Sequence, residues 1–193
     1  MKEQISVRDF CLGYDACTAG SSWALGHCET MQDVWRTARP DWLVWVATRR
    51  RVLSAKELRL FAVSCAQEVA HMVNEAVARR ALSAAEAYAN GEISWEGLCV
   101  CRTELDAILQ AKKSTPYCEF RSALWAIQAT ALASARVAAI DAASDSTDAR
   151  ICEKSGRERV ELRRAIEARQ AAWLRENTVP SFDADSFKEH IPL

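Results

Sequence analysis

Apolar residues recur along most of the chain at intervals of three and four positions, which places them on one face of an α-helix. Within residues 55–73, one such stripe is formed by Leu58, Phe61, Cys65, Val69 and Met72. Leu60 and Val63 widen the stripe, so this helix is predicted to be central and largely buried. No useful length of sequence alternates apolar and polar residues with the period of a strand. The pattern predicts an all-α protein.

Hydroxyl residues three positions before an acid mark several helix starts, because the hydroxyl accepts a first-turn amide proton while the acid reaches back. These pairs are Ser6 with Asp9, Thr30 with Asp33, and Ser54 with Glu57. Asn90-Gly91 is predicted to form a left-handed helix C-terminus. The expected architecture is a compact bundle of about eight helices, over residues 7–13, 31–38, 41–50, 55–73, 75–89, 95–112, 117–143 and 148–177. Segment 14–28 stays open, with a short helix around Trp23 as one alternative.

The last two predicted helices have opposite characters. Alanine stands at ten positions between Ala123 and Ala143, and alanine has the highest helix propensity. The charged helix instead carries ion pairs at i,i+4 spacing, namely Lys154–Glu158, Arg157–Glu161 and Arg163–Glu167. We therefore expect a helical domain over residues 1–145. The charged helix and an acidic tail, residues 146–193, are expected to pack on the same domain, with Phe182 and Phe187 as anchors.

Composition and charge narrow the function classes. Half of the 193 residues are hydrophobic and 26% are charged, as in ordinary globular proteins. The 25 basic and 26 acidic residues leave a net charge of −1, whereas general nucleic-acid binders are usually strongly basic. The N-terminal residues lack the apolar stretch of a secretory signal. The apolar run 42–47 is far too short to span a bilayer. A soluble, cytoplasmic protein is expected.

Eight cysteines raise the question of disulfides or metal. Several of them sit within apolar helical patterns, where a free thiol behaves as a small hydrophobe, so we expect reduced thiols. Cys17, His27 and Cys28, with Cys11 nearby, form the one metal-like grouping. It lacks the C-x-x-C spacing of a zinc knuckle. The prediction is no bound metal and no cofactor.

Known catalytic signatures are missing from the sequence. There is no phosphate-binding P-loop, no dinucleotide-binding glycine motif, no G-x-S-x-G and no H-E-x-x-H. Three histidines are few for an enzyme that relies on imidazole. The prediction is that the protein is not an enzyme and has no catalytic residues.

Tryptophan and arginine are the residues that point to a binding surface. Trp42 and Trp45 stand in a helix that is apolar nearly all round, which predicts core packing, whereas Trp35 lies on a short polar helix and is expected to be partly exposed. Basic residues are concentrated nearby. One interpretation is a solvated helix end, and the other is a docking patch for an acidic protein surface or a phosphate backbone. The predicted partner-binding set is Trp35, Arg36, Arg39, Arg49, Arg50 and Arg51.

Several short motifs, taken in order, resemble a known family. Residues 17–23, 33–38 and 41–45 are similar to the opening of the "immunity-five-like" family of immunity proteins in bacteria and phages. The next two helices are similar at Leu58–Ala62 with Cys65-Ala66, and at Ala84 with Glu86, Tyr88, Ala89 and Gly91. The alanine-rich helix with Trp125 completes the resemblance, which covers residues 10–143.

The resemblance implies a helical protein that neutralises toxins, with no cofactor and no established site residues. It predicts a non-catalytic inhibitor that occludes a protein toxin or a host defence effector such as a CRISPR surveillance complex. The alternatives are a nucleic-acid binder that uses the arginine patch, and an unrecognised helical enzyme or zinc protein. No membrane partner is expected, and a homodimer stays open.

Overall fold

The computed structural model describes residues 3–73, 76–111 and 119–187. These residues form ten α-helices and two short 3₁₀ turns, and their only strand-like pairing is a single antiparallel bridge between Gln4 and Asp183. The prediction of an all-α protein is confirmed, with two more helices than the eight expected. The chain divides into two compact units: unit 1 comprises residues 1–54 and 171–193, and unit 2 comprises residues 55–170. The predicted boundary between residues 145 and 146 falls inside a helix of unit 2.

Four short helices and two C-terminal segments build the described part of unit 1. The helices are α1 (Val7–Gly13), α2 (Thr18–His27), α3 (Met31–Thr37) and α4 (Pro40–Ala47). The last turns of α10 and a 3₁₀ turn at Ala184–Ser186 complete it. Segment 14–28, left open by the sequence, is therefore mostly helical.

The predicted hydroxyl–acid pairs start two of these helices. The Asp9 amide donates to Ser6 Oγ at 3.0 Å at the start of α1. At α3, the Asp33 amide donates to Thr30 Oγ1 at 3.2 Å, and the Thr30 amide donates to the Asp33 carboxylate at 3.0 Å. Each pair satisfies amide groups that the helix itself leaves without partners.

Aromatic side chains fill the core of unit 1. Phe10 is fully buried, and its ring centroid lies 6.0 Å from that of Phe182 and 5.9 Å from that of Phe187. The expectation that the two tail phenylalanines act as anchors is confirmed, since both are 2% exposed. The Ile5 amide donates to the Phe182 carbonyl at 2.9 Å, so backbone hydrogen bonds hold the tail beside the N-terminal segment.

A single arginine closes the C-terminal end of α3. Arg175 on α10 donates from Nε to the Trp35 carbonyl at 3.1 Å and from Nη2 to the Ala38 carbonyl at 2.7 Å. The last carbonyls of a helix have no partner within the helix, and a cation there also faces the negative end of the helix dipole. Arg175 therefore satisfies both requirements for α3.

Unit 2 contains the longer helices. They are α5 (Ala55–Gln67), α6 (Ala76–Asn90), α7 (Trp95–Ala111), α8 (Glu119–Ala129), α9 (Ala135–Ile151) and the first part of α10 (Gly156–Asn177), with a 3₁₀ turn at Ala70–Met72. Helix α9 packs against α5 and α8, and α6 packs against α5 and α7. The core residues Phe61, Leu98, Leu105, Leu124 and Ile127 are completely buried. As predicted, α6 ends at a left-handed glycine, Gly91, with φ of 79°.

The prediction of one alanine-rich helix over 117–143 is wrong. In the structure, α8 ends at Ala129 and α9 begins at Ala135. Ser134 caps the start of α9, because its Oγ accepts the Val137 amide proton at 3.3 Å. High alanine propensity favours a helix but does not override a chain reversal that buries both halves. Residues 138, 139, 142 and 143 of α9 are all buried alanines, so the small side chains serve close packing.

Three other predicted boundaries also move. The helix predicted for 55–73 ends at Gln67 and is followed by the 3₁₀ turn, and the helix predicted for 41–50 ends at Ala47. The helix predicted from 148 starts at Gly156, because residues up to Ile151 belong to α9. The three predicted ion pairs are confirmed: Arg157–Glu161 at 2.6 Å and Arg163–Glu167 at 3.7 Å lie on α10, and Lys154, just before α10, pairs with Glu158 at 2.8 Å.

Across the residues that the structure describes, every helix is too short or too polar to cross a membrane.

Candidate partner-binding site

A cavity of about 380 Å³ opens within unit 1 among its four helices. Its volume lies in the range of about 300 to 1,000 Å³ that is usual for ligand pockets. Its wall is mostly apolar and consists of Phe10, Cys11, Asp15, Ala16, Cys17, Gly20, Trp23, Ala24, Met31, Val34, Ala38, Asp41, Trp42, Trp45 and Val46. We call it the tryptophan cavity, after the three indole rings that line it.

The three indoles come from two helices. Trp42 and Trp45 are three residues apart on α4, so they lie on the same face of that helix. Trp23 comes from α2, and its ring centroid lies 5.4 Å from that of Trp42 at an interplanar angle of 47°. The His27 ring stacks on the Trp23 ring, with 5.8 Å between the two centroids. The aromatic rings therefore hold one another in place.

The expectation that Trp42 and Trp45 are core residues is met only in part. Both are half-buried, with Trp45 packed edge-on against Phe10 at 6.2 Å between ring centroids, and both present surface to the cavity. Sequence reasoning missed the cavity because its wall needs Trp23 from α2. The local signal was the tryptophan count, which does not say which rings converge.

Two arginines of the predicted set contact indoles of this wall. The Arg39 guanidinium lies 4.5 Å from the Trp42 ring centroid, and the Arg49 guanidinium lies 4.7 Å from that of Trp45. Arg39 also pairs with Asp41 at 2.8 Å, and Arg49 Nε donates to the Trp45 carbonyl at 3.0 Å. Such cation–π contacts are worth about 0.5–1 kcal/mol at exposed sites. The structure thus joins the arginine patch to the tryptophan cavity.

The other three arginines are exposed. Arg36 pairs with Asp33 on α3 at 2.8 Å. Arg50 and Arg51 follow α4, and Arg51 adopts a left-handed backbone conformation with φ of 70°. The Arg50 carbonyl accepts a hydrogen bond from the Tyr14 hydroxyl at 2.9 Å. Burial raises the pKa of Tyr14, and the nearby arginines 49–51 partly offset that rise.

The prediction that Trp35 is partly exposed is wrong. Trp35 is only 4% exposed, and its ring packs against Phe182 at 6.4 Å between centroids. The helix is polar on its other faces, but α3 turns Trp35 toward the aromatic core of unit 1. Trp35 therefore belongs to the core, and the candidate site that remains is the tryptophan cavity with Arg36, Arg39, Arg49, Arg50 and Arg51.

Two thiols also line the cavity. Cys17 precedes α2, and its Sγ accepts the Gly20 amide proton at 3.4 Å. Burial, and to a lesser degree the neighbouring Cys17, raises the pKa of Cys11. The seven cysteines that the structure describes form no disulfide with one another, and Cys118 lies outside the described residues.

The structure does not bring Cys17, His27 and Cys28 together into one possible metal site. Cys17 and His27 stand at opposite ends of α2, about 15 Å apart at 1.5 Å per residue. His27 Nδ1 lies 2.8 Å from the Trp23 carbonyl, and Cys28 Sγ lies 3.7 Å from Thr37 Oγ1. Among the described residues, no three histidine, cysteine or acidic side chains are grouped so as to hold a metal ion.

Comparison with known proteins gives no relative: no family model, no curated protein and no solved structure matches the chain.

Proposed function

We propose that this protein is a non-catalytic inhibitor that binds one protein partner and neutralises it by covering the surface through which that partner works. The resemblance seen in the sequence makes a bacterial toxin or a host defence effector complex the expected class of partner. The contact site is the tryptophan cavity together with the surrounding arginines.

One observation carries the proposal: a cavity walled by three tryptophans adjoins arginines whose guanidinium groups contact two of the rings. Tryptophan and arginine are the residues most enriched among those that dominate binding energy at protein interfaces. Aromatic groups supply apolar area, while guanidinium groups pair with carboxylates in two-point hydrogen bonds.

Charge supports a protein partner over a nucleic acid. Residues 36–51 contain five arginines and one aspartate, but the whole chain carries a net charge of −1. Two of the arginines are paired with Asp33 and Asp41. A surface of this kind suits a local acidic patch better than the long row of phosphates on a duplex.

The test is capture of the partner from the host by affinity purification, identification, and measurement of the purified pair by calorimetry. The expected result is one partner bound with 1:1 stoichiometry, and loss of the partner's activity that is complete at equimolar inhibitor. Substitution of a tryptophan or arginine that carries binding energy typically costs 2 kcal/mol or more, about a 30-fold loss of affinity. We expect this of Trp42→Ala and of Arg50→Glu.

The matched control is Arg79→Glu, which reverses an exposed charge on α6 in unit 2 and should leave affinity unchanged. Inhibition far below equimolar ratio would indicate catalysis and contradict the proposal. So would binding to RNA or DNA that weakens steeply with salt and is abolished by Arg50→Glu.

A further inference from the structure

The charged groups in the wall of the tryptophan cavity are all carboxylates. Of its described wall residues, only Asp15 and Asp41 carry a full charge, and both are exposed. Asp41 is engaged by Arg39, whose Nε and Nη2 donate to its two oxygens at 3.1 and 2.8 Å. A carboxylate accepts hydrogen bonds and cannot donate them when ionised. A polar atom of an occupant that contacts one of these two carboxylates should therefore be a hydrogen-bond donor.

The rest of the wall favours an aromatic occupant. Three indoles offer faces and edges for stacking, and Met31, Cys11 and Cys17 supply sulfur atoms. Aromatic pairs gain free energy beyond the burial of their area, and sulfur–aromatic contacts gain a similar amount. An aliphatic side chain would gain neither.

The volume favours a large ring system. A cavity of about 150 Å³ is enough for a benzene molecule, whereas this one measures about 380 Å³. A leucine or valine side chain would leave much of that space empty, which forfeits packing contacts. A two-ring group fills it better.

A cationic occupant is disfavoured even though aromatic faces attract cations. Arg39 and Arg49 already lie over Trp42 and Trp45. A further cation would be repelled by these guanidinium groups and would find the charge of Asp41 already neutralised by Arg39, whereas the Asp41 oxygens can still accept a hydrogen bond from a neutral N–H group. The arginines outside the cavity instead suit acidic residues on either side of the inserted group.

We propose that the tryptophan cavity receives a tryptophan side chain from an acidic segment of the partner, with the indole N–H donated to Asp15 or Asp41. This inference rests on the proposed function and adds the chemistry of the group that is recognised. The indole stacks against Trp23, Trp42 and Trp45, and carboxylates that flank it in the partner pair with the arginines outside.

The test uses calorimetry or ligand-observed NMR with N-acetyl-tryptophan amide as the probe. Binding should be about tenfold weaker for the N1-methyl-indole analogue, which has lost the donor. N-acetyl-leucine amide and tetramethylammonium should bind still more weakly. A peptide with the sequence Asp-Glu-Trp-Glu-Asp should bind more tightly than the amide, and added salt should remove that advantage.

Two glycines of α2 provide a matched pair of variants. A Cβ at Gly20 would lie 3.3 Å from Cys17 Sγ and 3.8 Å from the Trp42 ring, so Gly20→Leu places its side chain at the cavity wall. A Cβ at Gly26 would meet no atom within 4 Å, so Gly26→Leu leaves the cavity open. The first variant should abolish binding of the tryptophan amide and the second should retain it, with circular dichroism confirming that both are folded.

Either of two results would overturn the inference: equal or tighter binding of the leucine amide or tetramethylammonium, or unchanged tryptophan-amide binding by folded Gly20→Leu. If the tryptophan amide does not bind the parent protein, but Gly20→Leu loses the purified partner, the inference fails and the proposed function stands. If Gly20→Leu affects neither the partner nor the amide, both fail.

Discussion

Arg59 on α5 donates from Nη1 to the carbonyl oxygen of Leu132, 73 positions later in the chain, at 3.0 Å. Its Nη2 donates to the next carbonyl, that of Ala133, at 2.7 Å. The same guanidinium lies 4.7 Å from the ring centroid of Tyr88, and the residue is only 7% exposed. Arg59 thus satisfies the carbonyls of the turn that joins α8 to α9.

We expect Arg59→Lys to destabilise the protein by about 1–3 kcal/mol. A lysine keeps the charge, but its single ammonium group does not match two adjacent carbonyls and the Tyr88 face with the planar fork of a guanidinium. Urea denaturation followed by circular dichroism measures the change. Arg79→Lys, at an exposed position on α6, is the control. Equal midpoints for the two variants would contradict a structural role for Arg59.

Trp35→Ala should lower the free energy of unfolding by about 3–5 kcal/mol, as is usual when a large buried aromatic is removed. Trp35→Phe should cost less, because it keeps a ring against Phe182. Chemical denaturation gives the size of both effects. A Trp35→Ala variant that keeps full stability but loses affinity for the proposed partner would contradict the core role of Trp35 and would indicate a binding role instead.

Asp145 on α9 makes stability depend on pH. Burial raises the pKa of its carboxyl from 3.8 to about 6, and Asp141 and Asp148 add to the rise. Because the folded state holds this proton more tightly than the unfolded state, its contribution to stability is complete below about pH 4 and is lost as the pH rises through 6.

Asp145→Asn should therefore be more stable than the parent at pH 7, by about 1 kcal/mol once solvent screening of this half-buried group is allowed for. The difference should disappear below about pH 4. Denaturation curves at pH 4, 5, 6 and 7 test this, with Glu86→Gln, an exposed carboxylate on α6, as the control. A stability difference that stays constant over this range would show that Asp145 does not titrate as described.

The cysteines should react at very different rates with a thiol reagent. Cys17 is exposed at the cavity, whereas Cys65 is 3% exposed and burial strongly raises its pKa. Only the thiolate is nucleophilic, so Cys17 should be alkylated in the native protein, whereas Cys65 should be alkylated only after the protein unfolds. Mass spectrometry of tryptic peptides after timed iodoacetamide treatment gives both rates, and Cys17→Ser should remove the fast alkylation of the peptide that contains position 17. Rapid native alkylation of Cys65 would contradict the packing of α5.

Local signals predicted the parts of the fold that depend on neighbours in sequence. Ser6 with Asp9 and Thr30 with Asp33 start helices as expected, because a capping pair lies within one turn. The break between α8 and α9 was missed because the residue that satisfies the carbonyls of its turn, Arg59, lies 73 and 74 positions away in the chain. The alanine-rich sequence gives no local sign of such a contact.

The candidate site shows the same dependence on distance along the chain. The arginines were found because they are close together in sequence. The tryptophan cavity was not, since Trp23 must approach Trp42 from another helix. Trp35 was misplaced because the polarity of α3 says nothing about residues 175 and 182, which contact it only in the folded chain.

Unit 1 is discontinuous, and this bears on how the protein is made. The ribosome completes every residue of unit 2 before it synthesises Arg175, Phe182 and Phe187, which residues 1–54 need for their core and for the end of α3. Unit 2 can therefore fold during translation before the second segment of unit 1, which starts at residue 171, has been synthesised. A nascent chain that stops shortly before residue 171 would hold every described residue of the cavity wall but would lack Phe182 and Phe187, which pack against Phe10, and Arg175, which closes α3.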